Sequence, residues 1–278
     1  MYRNLLVSIP TERSPQPVID GAISLATSCR AQLDAVSIGY ESSSMPLVAE
    51  GGAAVAAIFE VEREKALERA HAALALFEAE AKRAGLVHSS RAISALQGEA
   101  AAILGATARL YDLTIVAQPE YAQDTFDNTL AQEIMFQSGG PVLFMPYTFK
   151  GTFDPRRVGI CWDGSRLAAR AVRDAMPLLE QAEAITIITI NAESSVPADA
   201  SAAHLVRYLS RLGLPTGIDR LKTERANIQS SILSLASDES LDLLVMGGYG
   251  HSRLQETVFG GVTREMLESM TVPTLMSH

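Results

Sequence analysis

The residues whose types and spacing could do chemistry are a set of glycines and one short acidic turn. The glycines are Gly247, Gly248, Gly250, Gly260 and Gly261, in the run GGYGHSRLQETVFGGVTREML that follows the apolar stretch LLVM. A glycine-rich turn leading into a helix presents free backbone N–H groups and the positive end of the helix dipole, and both suit an anion. Glycine also lets a phosphate reach the backbone with no Cβ in the way. Tight turning would explain a lone G-x-x-G. Here the preceding strand, the spacing and the following helix point instead to phosphate. The run is not a P-loop, since G-x-x-x-x-G-K-[ST] occurs nowhere, and no G-x-G-x-x-G follows a first strand.

The acidic turn is Asp163-Gly164-Ser165, directly after an apolar run ending at Trp162. Asp163 can accept a hydrogen bond from a ribose hydroxyl or an adenine amine, and it can equally cap the helix expected to begin near Ser165. Ile190 and Met246 close two other apolar runs. They suit either the walls of a base pocket or buried strand ends. Trp162, the single tryptophan, reads first as core packing and second as part of that pocket. His251, Arg253 and Arg264 flank the glycines and could neutralise phosphate charge, or simply face solvent. Val262 and Thr263 complete the run. His71, His88, His204 and His278 are scattered, with no partner at metal-ligand spacing. Cys29 and Cys161 read as small core residues. No Ser–His or Cys–His set can be assembled, so no catalytic or metal site is expected.

The elements that must hold these groups repeat. DLTIV at 112–116 matches DLLVM at 242–246, RNLLVSI at 3–9 matches RRVGICW at 156–162, and PVLFM at 141–145 matches PTLM at 273–276. Apolar runs near 4–9, 33–38, 91–96, 113–117 and 142–145 read as strands, with helices near 17–28, 55–84, 99–110 and 128–138 between them. The second half repeats this with strands near 157–162, 185–190, 217–222, 243–247 and 274–277 and helices near 166–181, 200–212, 228–239 and 257–270. In the long helix Leu67, Ala70, Leu74, Phe77 and Ala81 recur at three- and four-residue steps and make one apolar face, and Gly85 is placed to end it. Strands alternating with helices predict an α/β fold of two tandem doubly wound, Rossmann-like domains, each around a five-stranded parallel sheet. The expected domains are 1–147 and 155–278, joined by a segment carrying Pro146, Gly151 and Pro155. Ligands in such sheets sit at the carboxyl ends of the strands, where the glycines and Asp163 fall.

Composition narrows the function classes. The 278 residues carry 23 Lys+Arg against 32 Asp+Glu, a net charge of −9. That balance argues against nucleic acid as a partner. Hydrophobic residues make up 47% and charged residues 20%, which suits a globular chain with a real core. Two distant cysteines point to a reducing compartment. No run is long enough to span a bilayer, and the N-terminal apolar run is too short for a signal peptide. A cytoplasmic protein without a membrane partner is expected.

The glycine pattern resembles that of the universal stress protein family, whose nucleotide-binding members carry G-x2-G-x9-G-[ST] after the fourth strand. Gly247-x2-Gly250-x9-Gly260 fits it, and Asp163-Gly164-Ser165 is similar to the family's strand-end Asp-Gly-Ser, whose acid helps hold the nucleoside. The resemblance implies ATP, with or without Mg²⁺, or another adenine nucleotide in the second domain, slow hydrolysis at most, and a stress-response or regulatory role. By the same analogy 142–145 and 274–277 pair inside the chain as a pseudo-dimer, and whole chains could pair further as a homodimer. Two departures stand out. Gly261 replaces the family's Ser or Thr, and losing one such hydroxyl donor costs on the order of 1 kcal/mol. The first half reads Ile9-Pro10-Thr11-Glu12 and Ala117-Gln118-Pro119-Glu120 at the matching places, so no family-type nucleotide site is expected there. Two other readings stay open: a nucleotide-independent interaction protein, and a binder of an apolar molecule in the first half, covered by the loop 41–57.

Overall fold

The computed structural model describes residues 1–41, 52–123, 125–191, 196–248 and 262–278. The first half runs β1 (Asn4–Ile9), α1 (Gln16–Cys29), β2 (Gln32–Tyr40), α2 (Gly52–Arg83), β3 (His88–Ala95), α3 (Gln97–Ala108), β4 (Leu113–Ala117), α4 (Phe126–Gln137) and β5 (Val142–Met145). The second runs β6 (Arg157–Cys161), α5 (Arg166–Asp174), α6 (Met176–Leu179), β7 (Ala184–Ile190), α7 (Ala202–Arg211), β8 (Thr216–Leu221), α8 (Ile228–Asp238), β9 (Leu243–Gly247), α9 (Val262–Ser269) and β10 (Thr274–Ser277). The helix expected over 166–181 is two pieces. Pro177 has no N–H to continue the ladder, and the chain restarts as α6 at Met176. The helix expected over 257–270 is described only from Val262.

The strands form a ten-stranded sheet in the order β3-β2-β1-β4-β5-β10-β9-β6-β7-β8. Each half thus repeats one order, with its first strand lying between its second and its fourth. The halves meet where β5 pairs antiparallel with β10, in the register Thr274↔Phe144, Leu275↔Leu143 and Met276↔Val142. Every other described pairing is parallel. The intrachain pseudo-dimer expected from the last strands is therefore present. The sheet is buried on both faces: Leu5, Val7, Leu143, Val245 and Leu275 belong to one core layer and Leu6, Phe144, Leu244 and Met276 to the other. Central strands covered on both sides read as continuous apolar runs, which is why period-2 alternation is missing from them.

The halves differ most in the helix after their second strand. In the first half this is α2, of 32 residues; in the second it is α7, of 10. Ala66, Ala70, Ala73, Leu74, Phe77 and Ala81 bury the face of α2 that lies on β2 and β3, while Leu67 is half-buried at its margin. Gly85 at φ +68° ends α2, with Leu86 N–H donating to Ala81 O at 3.0 Å. Among the described residues no helix is long and apolar enough to cross a membrane.

Candidate functional site

The strand order reverses between β6 and β9, and the carboxyl ends of these two strands open the crevice where a doubly wound sheet takes its ligand. Cys161 and Met246 are register partners there, so the turn after β6 and Gly247, the first glycine of the run, leave the sheet side by side. Asp163 Oδ1 accepts the Ser165 N–H at 2.9 Å, and Ser165 Oγ accepts the Ala168 N–H at 3.1 Å. Ser165, not Asp163, is the N-cap of α5. Asp163 stands two residues earlier and closes a local turn around Gly164, whose φ of +72° favours glycine. Asp163 is exposed, and its second carboxylate oxygen has no partner among the described residues. A free acceptor at a strand end is what a ribose hydroxyl or an exocyclic amine needs.

Gly247 ends β9 hard against the first turn of α5. A Cβ at this position would lie 2.7 Å from Ala168 N and 2.8 Å from the Leu167 carbonyl carbon. The glycine at this step is thus required by packing whatever the next residues bind. Ile190 is half-buried and Met246 is 6% exposed, and both belong to the same core layer. Trp162 is core packing at its face and a donor at its edge, with Nε1 on Ala200 O at 2.7 Å. Val262 opens α9 and Thr263 is buried within it. Arg264 pairs along the helix with Glu268 at 2.9 Å. Gly250, His251, Arg253, Gly260 and Gly261 lie outside the described residues. What the structure brings to the carboxyl ends of β6, β7 and β9 is therefore Asp163, Ile190, Met246 and Gly247.

One contributor to this crevice went unread in the sequence. Asn191 sits at φ +51° after β7, donates from Nδ2 to Thr223 O at 2.8 Å and accepts the Thr223 N–H on Oδ1 at 3.2 Å. It ties the ends of β7 and β8 together. An Asn directly after a β-branched run is a signal for this left-handed turn.

The matching crevice of the first half is filled by the chain itself. The Arg13 guanidinium donates to Ala117 O at 3.2 Å, to Gln118 O and to Asn128 Oδ1 at 3.4 Å. Asp127 is 5% exposed. It accepts Tyr40 Oη at 3.0 Å on one oxygen and the N–H groups of Thr11 and Glu12 at 3.1 and 3.0 Å on the other. Glu12 Oε2 takes the Phe126 N–H at 2.7 Å, so a carboxylate already covers the N-terminus of α4. Burial pushes Asp127 and Glu12 above the usual carboxylate range, lowers Arg13 and raises Tyr40. The cleft that remains is lined by Arg13, Asp127 and Ser8 beside Leu130 and Val116. Most of the loop expected to cover an apolar molecule in this half, 42–51, lies outside the described residues. Glu120, expected to repel phosphate at this place, exchanges main-chain hydrogen bonds with the Asn128 amide.

Among the described residues no three His, Cys, Asp or Glu side chains gather to hold a metal ion.

A model of the universal stress protein family matches residues 155–278. Over 90 residues, 32% of this chain, the sequence is 28% identical to Universal stress protein Slr1230 from Synechocystis sp., and the matched stretch spans 30% of that relative's length. Among solved structures, the fold is similar to a universal stress protein from Archaeoglobus fulgidus, with a TM-score of 0.74 at 12% identity over 98% of this chain and 95% of that one. It is also similar to a functionally unknown protein from Pseudomonas aeruginosa PAO1, with a TM-score of 0.61 at 16% identity over 99% of this chain and 92% of that one. At these identities the structural likeness shows the fold.

Proposed function

From a chain that belongs to the universal stress protein family through residues 155–278 and repeats the same strand order in its first half, we propose that the second half binds ATP or another adenine nucleotide and serves as a nucleotide-dependent regulatory protein. The observation that carries this reading is Asp163. It is exposed at the switch of strand order, held in place by its turn, and keeps one carboxylate oxygen without a partner among the described residues. The backbone of Gly247, Gly250, Gly260 and Gly261, leading into α9, would supply N–H donors for the phosphates. Ile190 and Met246 would wall the base. His251, Arg253, Val262 and Thr263 complete the candidate set. Mg²⁺ would arrive with the nucleotide, since the described residues offer no metal set of their own. Hydrolysis is expected to be slow, because among the described residues none is placed to activate water. Two domains, 1–147 and 155–278, a cytoplasmic location and a stress role belong to the same proposal.

The test is the small-molecule content of the purified protein, followed by calorimetry of the stripped protein with ATP–Mg²⁺. One nucleotide per chain, lost in Gly250→Glu and weakened in Asp163→Ala, is the expected result. No nucleotide and no heat at millimolar ATP would leave an interaction protein that keeps its glycines for turns. Two nucleotides per chain would mean that the Arg13–Asp127 network opens to admit one.

A further inference from the structure

Gln118 is fully buried at the end of β4, and its side chain crosses the seam between the halves. Nε2 donates to Leu267 O at 2.9 Å, and Oε1 accepts the Tyr147 N–H at 3.3 Å. Its own carbonyl accepts from Arg13, the residue that fills the first-half crevice. Leu267 lies in the last turn of α9, where a carbonyl has no donor within the helix. One side chain from the first half therefore anchors the C-terminal end of the helix that begins at Val262. The counterpart of Gln118 in the second half is Gly248, with the same main-chain bond: Gln118 N–H donates to Met145 O at 2.8 Å and Gly248 N–H to Ser277 O at 2.9 Å. Gly248 has no side chain to send back. Met135 of α4 lies over it instead. The tie runs one way, from the filled half to the open one.

We propose that Gln118 is a positioning residue: it couples the self-filled crevice of the first half to α9 and thereby sets how tightly the second half holds nucleotide phosphate. The proposal rests on the nucleotide reading above. α9 has eight residues and spans about 12 Å, so it moves as a rigid rod. A rod tied at one end by a buried hydrogen bond presents its N–H groups at the other end in a fixed direction. Untying it leaves the Leu267 carbonyl buried without a donor, and the helix must tilt or admit water. Coupling of this kind is reciprocal, so phosphate on the N-terminus of α9 must in turn hold Gln118 and Arg13 in place.

The experiment pairs calorimetry with hydrogen exchange on the full chain. ATP–Mg²⁺ is titrated into the wild type and Gln118→Leu at a temperature where both are folded, and exchange is followed in the wild type with and without ATP. The expected result is affinity about tenfold weaker in Gln118→Leu, within the usual range for coupled sites, and slower exchange in the wild type at residues 11–13 and 118 and at Tyr147 when ATP is added. A merely structural role would lower the melting temperature but leave native-state affinity and first-half exchange unmoved by ATP. Equal affinities with an unmoved first half overturn the coupling and leave the nucleotide site standing. If Gln118→Leu does not fold, the exchange arm decides alone. No heat in the wild type overturns the nucleotide reading and the coupling together.

Discussion

Replacing Gly247 by alanine asks whether the contact between β9 and α5 is as tight as its geometry requires. The added Cβ would sit 2.7 Å from Ala168 N, 2.8 Å from the Leu167 carbonyl carbon and 3.0 Å from Leu167 Cβ. Carbon atoms at rest stand about 3.5–4.0 Å apart, so something must move by roughly 0.5–1 Å. Two of the three obstructing atoms are backbone in the first turn of α5, a turn already fixed by the Ser165 cap. No side-chain rotation relieves the clash, and the strand end or the whole helix must shift. Overpacking of this kind costs about 1–3 kcal/mol. At about 2–4 °C per kcal/mol for a chain of this size, the melting temperature should fall by roughly 2–12 °C. The displaced turn carries Asp163, so ATP affinity should fall as well, by about tenfold. The control is Gly217→Ala on exposed β8, where an added Cβ meets nothing within 4 Å. It should change the melting temperature by no more than about 1–2 °C, since an exposed substitution away from special features stays within ~0.5 kcal/mol. Scanning calorimetry of the two variants decides the matter. A Gly247→Ala protein that melts with the wild type and binds ATP equally would refute the reasoning, because it would mean that the β9–α5 approach is not tight and that Asp163 does not depend on it.

Three further outcomes are expected. Asp127 is raised above its unfolded value mainly by burial, so the native state takes up its proton first. The resulting stabilisation is complete below the ordinary aspartate value and is lost as pH rises through the raised folded value. Urea melts across that window should show stability falling with rising pH, and Asp127→Asn should flatten the slope; an unchanged slope would assign it elsewhere, Glu12 being the next candidate. Trp162 is the single tryptophan and adjoins Asp163, so ATP should change intrinsic fluorescence in the wild type, and an unchanged spectrum at saturation would place the base away from that turn. Residues 150–278 expressed alone would expose the β10 edge, with Leu275 and Met276 no longer covered by β5. Sedimentation should show self-association that a Leu275→Lys variant weakens, whereas a monodisperse monomer would mean that the edge is covered in some other way.

Much of the architecture was legible because the signals are local. The strand runs, the glycine stop at Gly85 and the two matching DLTIV and DLLVM segments each depend on a few neighbouring residues. Doubled periodicity then implied two copies of one strand order, and the pairing of the last strands followed from the resemblance. Asp163 was legible as a residue just beyond β6, although its capping role was assigned two residues too early: an Asp-Gly-Ser turn can cap from either end, and only the hydrogen bonds place Ser165 at the N-cap. The break at Ala175 was obscured because Pro177 falls within an otherwise periodic stretch. The first-half network was not legible at all. Arg13, Tyr40, Gln118 and Asp127 lie on separate strand ends and a helix start, and nothing in the residue types says that they meet.

The two halves suggest why one chain keeps a crevice open and the other closed. A doubly wound sheet leaves helix N–H groups and strand-end carbonyls at its switch point in every copy, and these must be satisfied by something. In the first half Glu12 takes the N–H groups at the start of α4, and Arg13 takes the carbonyls of Ala117 and Gln118. That half meets most of these groups with its own side chains, and Arg13 Nε and Thr125 Oγ1 are buried there with no hydrogen-bond partner among the described residues. In the second half Gly164 and Ser165 stand where the first half has Thr11 and Glu12, with Arg166 in the place of Arg13, so no carboxylate stands in the place of Glu12. Among the described residues, Asp163 keeps an oxygen open there. A half that satisfies itself is a fixed support, and a half that does not can respond to what binds it. Joining them through β5 and β10, with Gln118 reaching from the first to the second, lets the responsive half be positioned by a neighbour whose own state no nucleotide changes directly. On this account, transplanting Pro10-Thr11-Glu12 into the second half in place of Asp163-Gly164-Ser165 should abolish ATP binding without unfolding the chain, and a transplant that still binds ATP would show that the strand-end turn is not what separates the halves.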